Sequence, residues 1–463
     1  MSEEIQYKID MDAIKKNYRM NNGGINHNSG NKFKLLPYIT DESKQMTEFN
    51  GVIGNFSRMI CDKELKNEFN INEFIENVVD GVAEFEGTTS KETFKNIVKT
   101  MFIDKEEQLV NFDIKTMNYI SSSPEDNKFA KFLYSIFFNE ETKSLAKEQY
   151  DTEVKNILNK LVLNALPELK DKIIESNEYK CYLPFIKELF IKDFEFLIKN
   201  EELYKNSLKR VLEYYYMFYV SQLSIKLGQF EKADLETPET LYYTLSWEST
   251  SKNRTAYKFG WELLSNSVNS LFSHAITLDF INHHGLNIQL TYKELFEIYK
   301  TSNDSDIENQ LEELLSTYVN SINDIRWDEF VPKQKQSGNE AFDKIYKLFE
   351  CIDYQFNNSS SRNGPYKKYK NKYVNFVYKS FGKRRGSLGY SLNLTEEDII
   401  LMTKLCINNN EKLKLSLLFD EFQKRGMTFD RDSQSKIIQL YEKLNLLEKK
   451  SDSGDAQYVR SIL

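Results

Sequence analysis

Glycine and proline are both scarce, at 17 and 7 of 463 residues. Few turn formers argue against a sandwich or barrel and for long helices. Cysteine is rarer still: Cys61, Cys181, Cys351 and Cys406 stand far apart and form no CxxC. Neither a disulfide framework nor a zinc knuckle is expected, and the thiols read as reduced and buried. No apolar run reaches about 18 residues, so no segment is expected to span a membrane. The opening MSEEIQYKID has neither the basic nor the apolar region of a secretory signal. A cytoplasmic chain without a membrane partner is the expectation. One further absence is local: the formal net charge is −8, yet no Asp or Glu occurs from Tyr354 to Thr395.

Signatures of catalysis are missing as well. A nucleotide-cradling loop needs GxxxxGK[ST], and FGKRRG at 381–386 has no Ser or Thr after Lys383 and no glycine five residues before Gly382. No Gly-x-Ser-x-Gly elbow occurs, and no Asp…Glu-x-Lys set suggests a metal-dependent nuclease. Of the four histidines, His274, His283 and His284 lie close together, and His283 and His284 with Asp279 could be imagined around a metal. Adjacent helical residues diverge by about 100°, so a core and helix-end reading is preferred. No enzyme activity, no metal and no cofactor are expected.

What is present is helical. Residues 1–35 are Asn- and Gly-rich and read as a polar arm. Residues 36–126 form an N-terminal helical domain, with Ser90 as the cap of one helix, up to the break SSSPED. Residues 127–356 form a central helical body in which a run ending at Gly285 suggests a glycine C-cap. Residues 357–393 make a basic connector, entered through the linker-like NNSSSRNGP. In residues 394–463 three helices precede a two-residue alternation around DSGD, which is a β-hairpin. Thr395 and Asp398 are placed for a capping box, Ser416 for a cap and Gly426 for a stop. The expected fold is mainly α: a multi-helix body with a small C-terminal winged-helix (α+β) domain.

The connector carries the clearest functional pattern. Tyr366, Tyr369, Tyr373, Phe376 and Val377 recur at helical spacing, so these side chains are expected to pack rather than stack on bases. Lys367, Lys368, Lys372 and Lys379 lie off that stripe, Arg362 and Lys370 add to the charge of the stretch, and Lys383, Arg384 and Arg385 occupy a Gly-flanked turn read as flexible. A surface that needs only solubility mixes both signs; one sign alone suits a phosphate backbone. Lys367, Lys368, Lys370, Lys372, Lys379, Lys383, Arg384 and Arg385 are therefore candidate contacts to double-stranded DNA. In the C-terminal unit Arg431, Gln434, Lys436, Gln439 and Lys443 form a candidate major-groove set. Lys449 and Lys450 lie on its wing, among Glu448, Asp452 and Asp455. A surface this balanced suits a protein partner as well as DNA.

The stretches KRRGSLGY, LNLTEEDIILMTKLCI and FDRDSQSKIIQLYEKLNLLEKKSDSGDAQYVRSIL resemble the C-terminal part of the DptG family. LPYITDESKQMTEFNGVIGNFSRMI and YKFGWELLSNSVNSLFSHAITLDF resemble it too. The family belongs to DNA phosphorothioation-dependent restriction systems, which attack DNA lacking a sulfur mark. The resemblance implies an anti-phage role beside a DptF-like ATPase and a DptH-like ATPase or helicase. It implies no catalytic residue. The expected function is a non-catalytic DNA-binding and scaffolding subunit. An adaptor that docks the ATPases without touching DNA is the alternative, and a cryptic metal-dependent nuclease a further one.

Overall fold

The computed structural model describes residues 7–20, 24–40, 48–66, 69–82, 88–105, 107–173, 178–301, 305–333, 335–449 and 457–462. Among them the chain is mostly helical, with 19 α-helices and three small sheets. The shortage of glycine and proline is accordingly a shortage of tight turns.

One helix, Glu201–Leu227, organises the core. Every residue from Val211 to Ser224 is buried, so this part of the helix is enclosed on all sides. Successive side chains leave it about 100° apart, so the run Tyr214–Tyr215–Tyr216 fans in three directions. Each hydroxyl finds a different segment, as a buried phenol must. Tyr214 donates to the carbonyl of Arg425 at 2.5 Å, and Tyr215 to the Asp193 carboxylate at 2.6 Å. Tyr216 shares a hydrogen bond with Tyr38, and Tyr219 accepts one from the Tyr182 amide at 2.8 Å. Ser221 and Tyr373 join the same helix to the basic segment at 2.7 Å. A contiguous set of buried side chains reaches from Tyr7 to Val459. A smaller one lies under the helices Ile71–Asp80, Thr88–Phe102 and Ile157–Asn164, with Phe74, Val98, Phe102 and Val162 at its centre.

The opening segment is packed where a loose arm was expected. It carries the helix Met11–Asn17 and buries Tyr7, Ile9, Ile14, Tyr18 and Phe33. The cause is Asp279, fully buried on the helix Leu271–Ile281. Its carboxylate accepts the backbone N–H groups of Gly30, Asn31, Lys32 and Phe33 at 2.7–3.1 Å and the Tyr18 hydroxyl at 2.5 Å. The small polar residues supply a loop that wraps an anion. Other local expectations need correction. Ser90 lies inside a helix that starts at Thr88. The run ending at Gly285 breaks into Thr255–Lys258, Trp261–Val268 and Leu271–Ile281, the last capped by Asn282. The linker-like 357–365 is a tight corner between the helices Glu340–Asn358 and Asn363–Ser380, in which Arg362 donates to Gln355 at 2.6 Å.

The C-terminal unit runs helix Glu396–Ile407, strand Lys412–Lys414, helix Leu415–Lys424, helix Arg431–Lys443, then strands Leu447–Lys449 and Gln457–Arg460. Thr395 and Asp398 close the expected reciprocal capping box. Ser416 sits within its helix instead of capping it. Gly426 follows that helix with φ +77, the left-handed turn glycine adopts without penalty. The last two strands pair antiparallel, as expected of the hairpin, and Lys412–Lys414 extends them into a three-stranded sheet. Lys450 and the DSGD turn lie outside the described residues.

Charge clusters fasten this unit to the body, two of them through Arg425 and Arg210. Arg425 and Asp193 are both fully buried and meet through paired bonds of 2.6 and 2.8 Å. Arg210 forks onto Asp398 at 2.6 and 2.8 Å and reaches the Ser380 carbonyl at 3.0 Å.

Candidate nucleic-acid interface

The acid-free stretch folds into the helix Asn363–Ser380 followed by a β-hairpin. Tyr366, Tyr369, Tyr373, Phe376 and Val377 are all buried, as their spacing predicts, so none is open for stacking on a base. Tyr369 packs on Phe272 with ring centroids 4.7 Å apart, and Phe376 on Tyr216 at the same distance. With its aromatics turned inward the helix presents lysines outward. Lys367 and Lys379 are exposed, and Lys368 and Lys372 are partly so. Lys379 approaches Glu48 at 3.5 Å, an exposed pair of little energetic weight. Lys370 donates to the Asn269 side chain at 2.6 Å. Burial, with the Lys367 charge beside it, holds the Lys370 ammonium below its usual range. Arg362 is paired with Asp324 at 2.7 Å.

The Lys383–Arg385 turn is not a flexible loop. Gly382–Arg384 pairs antiparallel with Tyr390–Leu394, which runs parallel to Thr244–Leu245 on its other side. Lys383 donates to the Ser246 carbonyl. Arg385 reaches the Glu248 carbonyl at 2.6 Å, the Leu245 carbonyl at 2.8 Å and the Thr244 hydroxyl at 3.1 Å. Its guanidinium lies below the usual range because burial outweighs the neighbouring Glu248, with Arg254 adding repulsion. Both side chains satisfy backbone carbonyls at and just beyond the end of Thr244–Leu245, a polar requirement that competes with solvent contact. Arg384, on the opposite face of the strand, is exposed. Strand alternation is the signal that would have separated it from Lys383 and Arg385.

On the helix Arg431–Lys443 the candidate groove set is not uniformly available. The N-terminus is docked on the body: Asp430 caps the helix and pairs with Arg254, whose guanidinium also donates to Ser433 at 2.8 Å. Gln434 donates to the Phe429 carbonyl at 3.1 Å, and Lys436 to Gln439 at 3.1 Å. Arg431, Gln439 and Lys443 are exposed, towards both ends of the helix.

The histidines are held by their neighbours. His283 contacts the Asp279 carbonyl at 2.6 Å and Asn17 at 3.0 Å, while His274 meets the Tyr292 hydroxyl at 3.0 Å. Burial pushes His27 and His274 down to about 3 and His284 to about 4. The Asp279 carboxylate faces the loop at Gly30–Phe33, leaving only its backbone to His283. Among the described residues no group of three or more His, Cys, Asp or Glu is placed to hold a metal ion.

Lys128 and Lys209, which drew no notice in the sequence, share a pocket with Lys372 and Lys379. Lys128 lies on an amphipathic helix and Lys209 just ahead of the buried run Val211–Ser224, and no local pattern marks either. No protein-family model and no curated protein matches this chain.

Proposed function

We propose that this chain is a DNA-contacting, non-catalytic subunit of a phosphorothioation-dependent restriction complex, acting in the cytoplasm beside a DptF-like ATPase and a DptH-like ATPase or helicase. The observation that carries the reading is the helix Asn363–Ser380, whose buried aromatic face leaves an outward face of lysines with no carboxylate in its own stretch. The phosphate contacts on this reading are Lys367, Lys368, Lys372, Lys379 and Arg384. Lys370, Lys383 and Arg385 position the surface from within. The C-terminal unit is proposed as a winged helix, supported by its order of helix, strand, two helices and two strands. Its exposed Arg431, Gln439 and Lys443 would meet the duplex or a partner subunit.

The test is binding of the purified chain to a labelled duplex over a salt series. Replacing Lys367, Lys368 and Lys372 together by Ala is expected to flatten the slope of log K against log [salt] by about three, and Arg384→Ala by about one. Lys383→Ala and Arg385→Ala should leave the slope alone and lower thermal stability. An unchanged slope in the triple variant sinks the reading.

A protein-docking adaptor is the second reading, favoured by Ile97 and Met101. They lie one helical turn apart on Thr88–Phe102 and are 46 % and 52 % exposed. Co-purification with the ATPase subunits, lost in Ile97→Lys/Met101→Lys, together with no duplex retention at low salt, would select it.

A further inference from the structure

We propose that Tyr390 and Arg384 form a stacking site for an unpaired nucleobase, the first base of a single-stranded tail where it leaves a duplex. The inference rests on the nucleic-acid reading of this face, though not on the duplex contacts assigned to the lysines of the helix.

Three rings form a short series where the helix Asn363–Ser380 meets the hairpin. Trp261, which is buried, meets Tyr378 edge-on with centroids 5.1 Å apart. Tyr378 stacks on Tyr390 at 3.8 Å with an interplanar angle of 15°. Among the described residues Tyr390 makes no other ring contact, so the series ends on it. Tyr378 and Tyr390 are both partly exposed, unlike Tyr366, Tyr369, Tyr373 and Phe376, which are closed to a base. Their hydroxyls set them apart from the tyrosines of the central helix as well. A buried phenol finds a partner. Those of Tyr378 and Tyr390 have none among the described residues and are not enclosed. The rest of each side chain packs against the core, so the pair is a fixed surface with a wet edge.

Strand register sets a cation beside it. Arg384 lies directly opposite Tyr390, so the two side chains leave the sheet on the same face, with Cβ atoms about 5 Å apart. Lys383 and Arg385, on the other face, are engaged by backbone carbonyls. Arg384 is exposed and makes no hydrogen bond or ion pair among the described residues. Nothing packs on the side-chain face of Gly386 or Gly389, which leaves the approach over the hairpin tip open. Exposed Lys367 precedes Tyr378 by eleven residues. At about 100° per residue it falls within about 20° of that ring around the helix, on the side a bound strand would follow.

These features narrow the class of ligand. A flat base extends the Tyr378–Tyr390 stack while the guanidinium takes the adjoining phosphate. Bases within a duplex already have both faces covered, so the ligand is unpaired. A sugar ring can also lie on a tyrosine, but its hydroxyls need acceptors, and Arg384 only donates. An acidic peptide would satisfy Arg384 and leave the ring unused. Binding alone is proposed, with no bond made or broken.

The experiment is fluorescence anisotropy of the full chain with a blunt duplex, the same duplex carrying a short thymidine tail, one carrying an abasic tail of equal length, and an oligothymidylate. The thymidine tail should tighten binding about tenfold over the abasic tail, which carries the same charge without the bases. Tyr390→Leu should abolish that gain and Tyr390→Phe should keep it, with blunt-duplex affinity unchanged in both. Equal binding of the two tails by the unaltered chain overturns the proposal, and so does a gain that survives Tyr390→Leu in a variant with the wild-type urea midpoint. The first comparison needs no variant and is independent of folding. Blunt-duplex binding without a tail gain would remove this site and leave the duplex reading standing. Oligothymidylate binding that depends on Tyr390, with no binding of the blunt duplex, would do the reverse. Binding of none of the four probes would end both.

Discussion

Replacing Arg425 by Met would leave the Asp193 carboxylate fully buried, with only the Tyr215 hydroxyl at 2.6 Å to answer it among the described residues. Breaking one side of such a pair costs about 3–5 kcal/mol, because the surviving charge is neither solvated nor matched. For a chain of this length the urea m-value is about 3 kcal/mol/M or more, so the midpoint should fall by about 1 M. The loss should also be directional. Arg425 ties the end of Leu415–Lys424 to the helix Pro184–Ile198, so hydrogen exchange should rise first in residues 415–443. Replacing both partners, Arg425→Met with Asp193→Leu, removes the stranded charge and should recover most of the loss, giving a coupling of about 2 kcal/mol or more. A single-variant shift below about 0.3 M, or a double variant as unstable as the sum of the singles, would refute the reasoning.

Two further outcomes are expected. His274 and His284 are buried with folded-state values of about 3 and about 4, below the unfolded value of about 6.5, so the unfolded chain binds more protons between those limits. Stability is therefore present above about pH 6.5 and lost as pH falls, by about 2 kcal/mol per histidine at pH 5. Chemical denaturation at pH 7 and 5 measures it, and His274→Phe should remove about 2 kcal/mol, about a third of what it, His284 and the similarly depressed His27 contribute together; an unaltered pH dependence in that variant refutes the assignment. Gly426→Ala places a methyl 2.3 Å from a ring carbon of Phe218 at φ +77. Backbone strain and overpacking together should cost about 2–5 kcal/mol by urea denaturation, with partial recovery in Gly426→Ala/Phe218→Leu. Neutral behaviour of the single variant would show that the ring can move aside.

What the sequence made legible was local. Helical periodicity located the long helices, the spacing of Tyr366, Tyr369, Tyr373 and Phe376 marked a buried face, and Thr395 with Asp398 announced a capping box. What escaped depends on partners far along the chain. Lys383 and Arg385 looked solvated because the carbonyls they satisfy lie 137 to 140 residues away. The opening segment looked slack because its organising carboxylate is 246 to 249 residues distant. The pocket joins helices that share no motif, so Lys128 and Lys209 resembled any other solvated lysine.

The fan of tyrosines on Glu201–Leu227 also has a consequence for synthesis. A ribosome delivers this chain from one end, yet Tyr214 closes on a carbonyl 211 residues later, and Tyr7 on one 274 residues later. While those partners are still being translated, this tyrosine-rich helix and the opening segment wait uncovered. Such a nascent chain presents apolar surface for much of its elongation time, when aggregation competes with folding. Slower translation, or a holdase bound during elongation, should therefore change the yield of this protein more than its final stability.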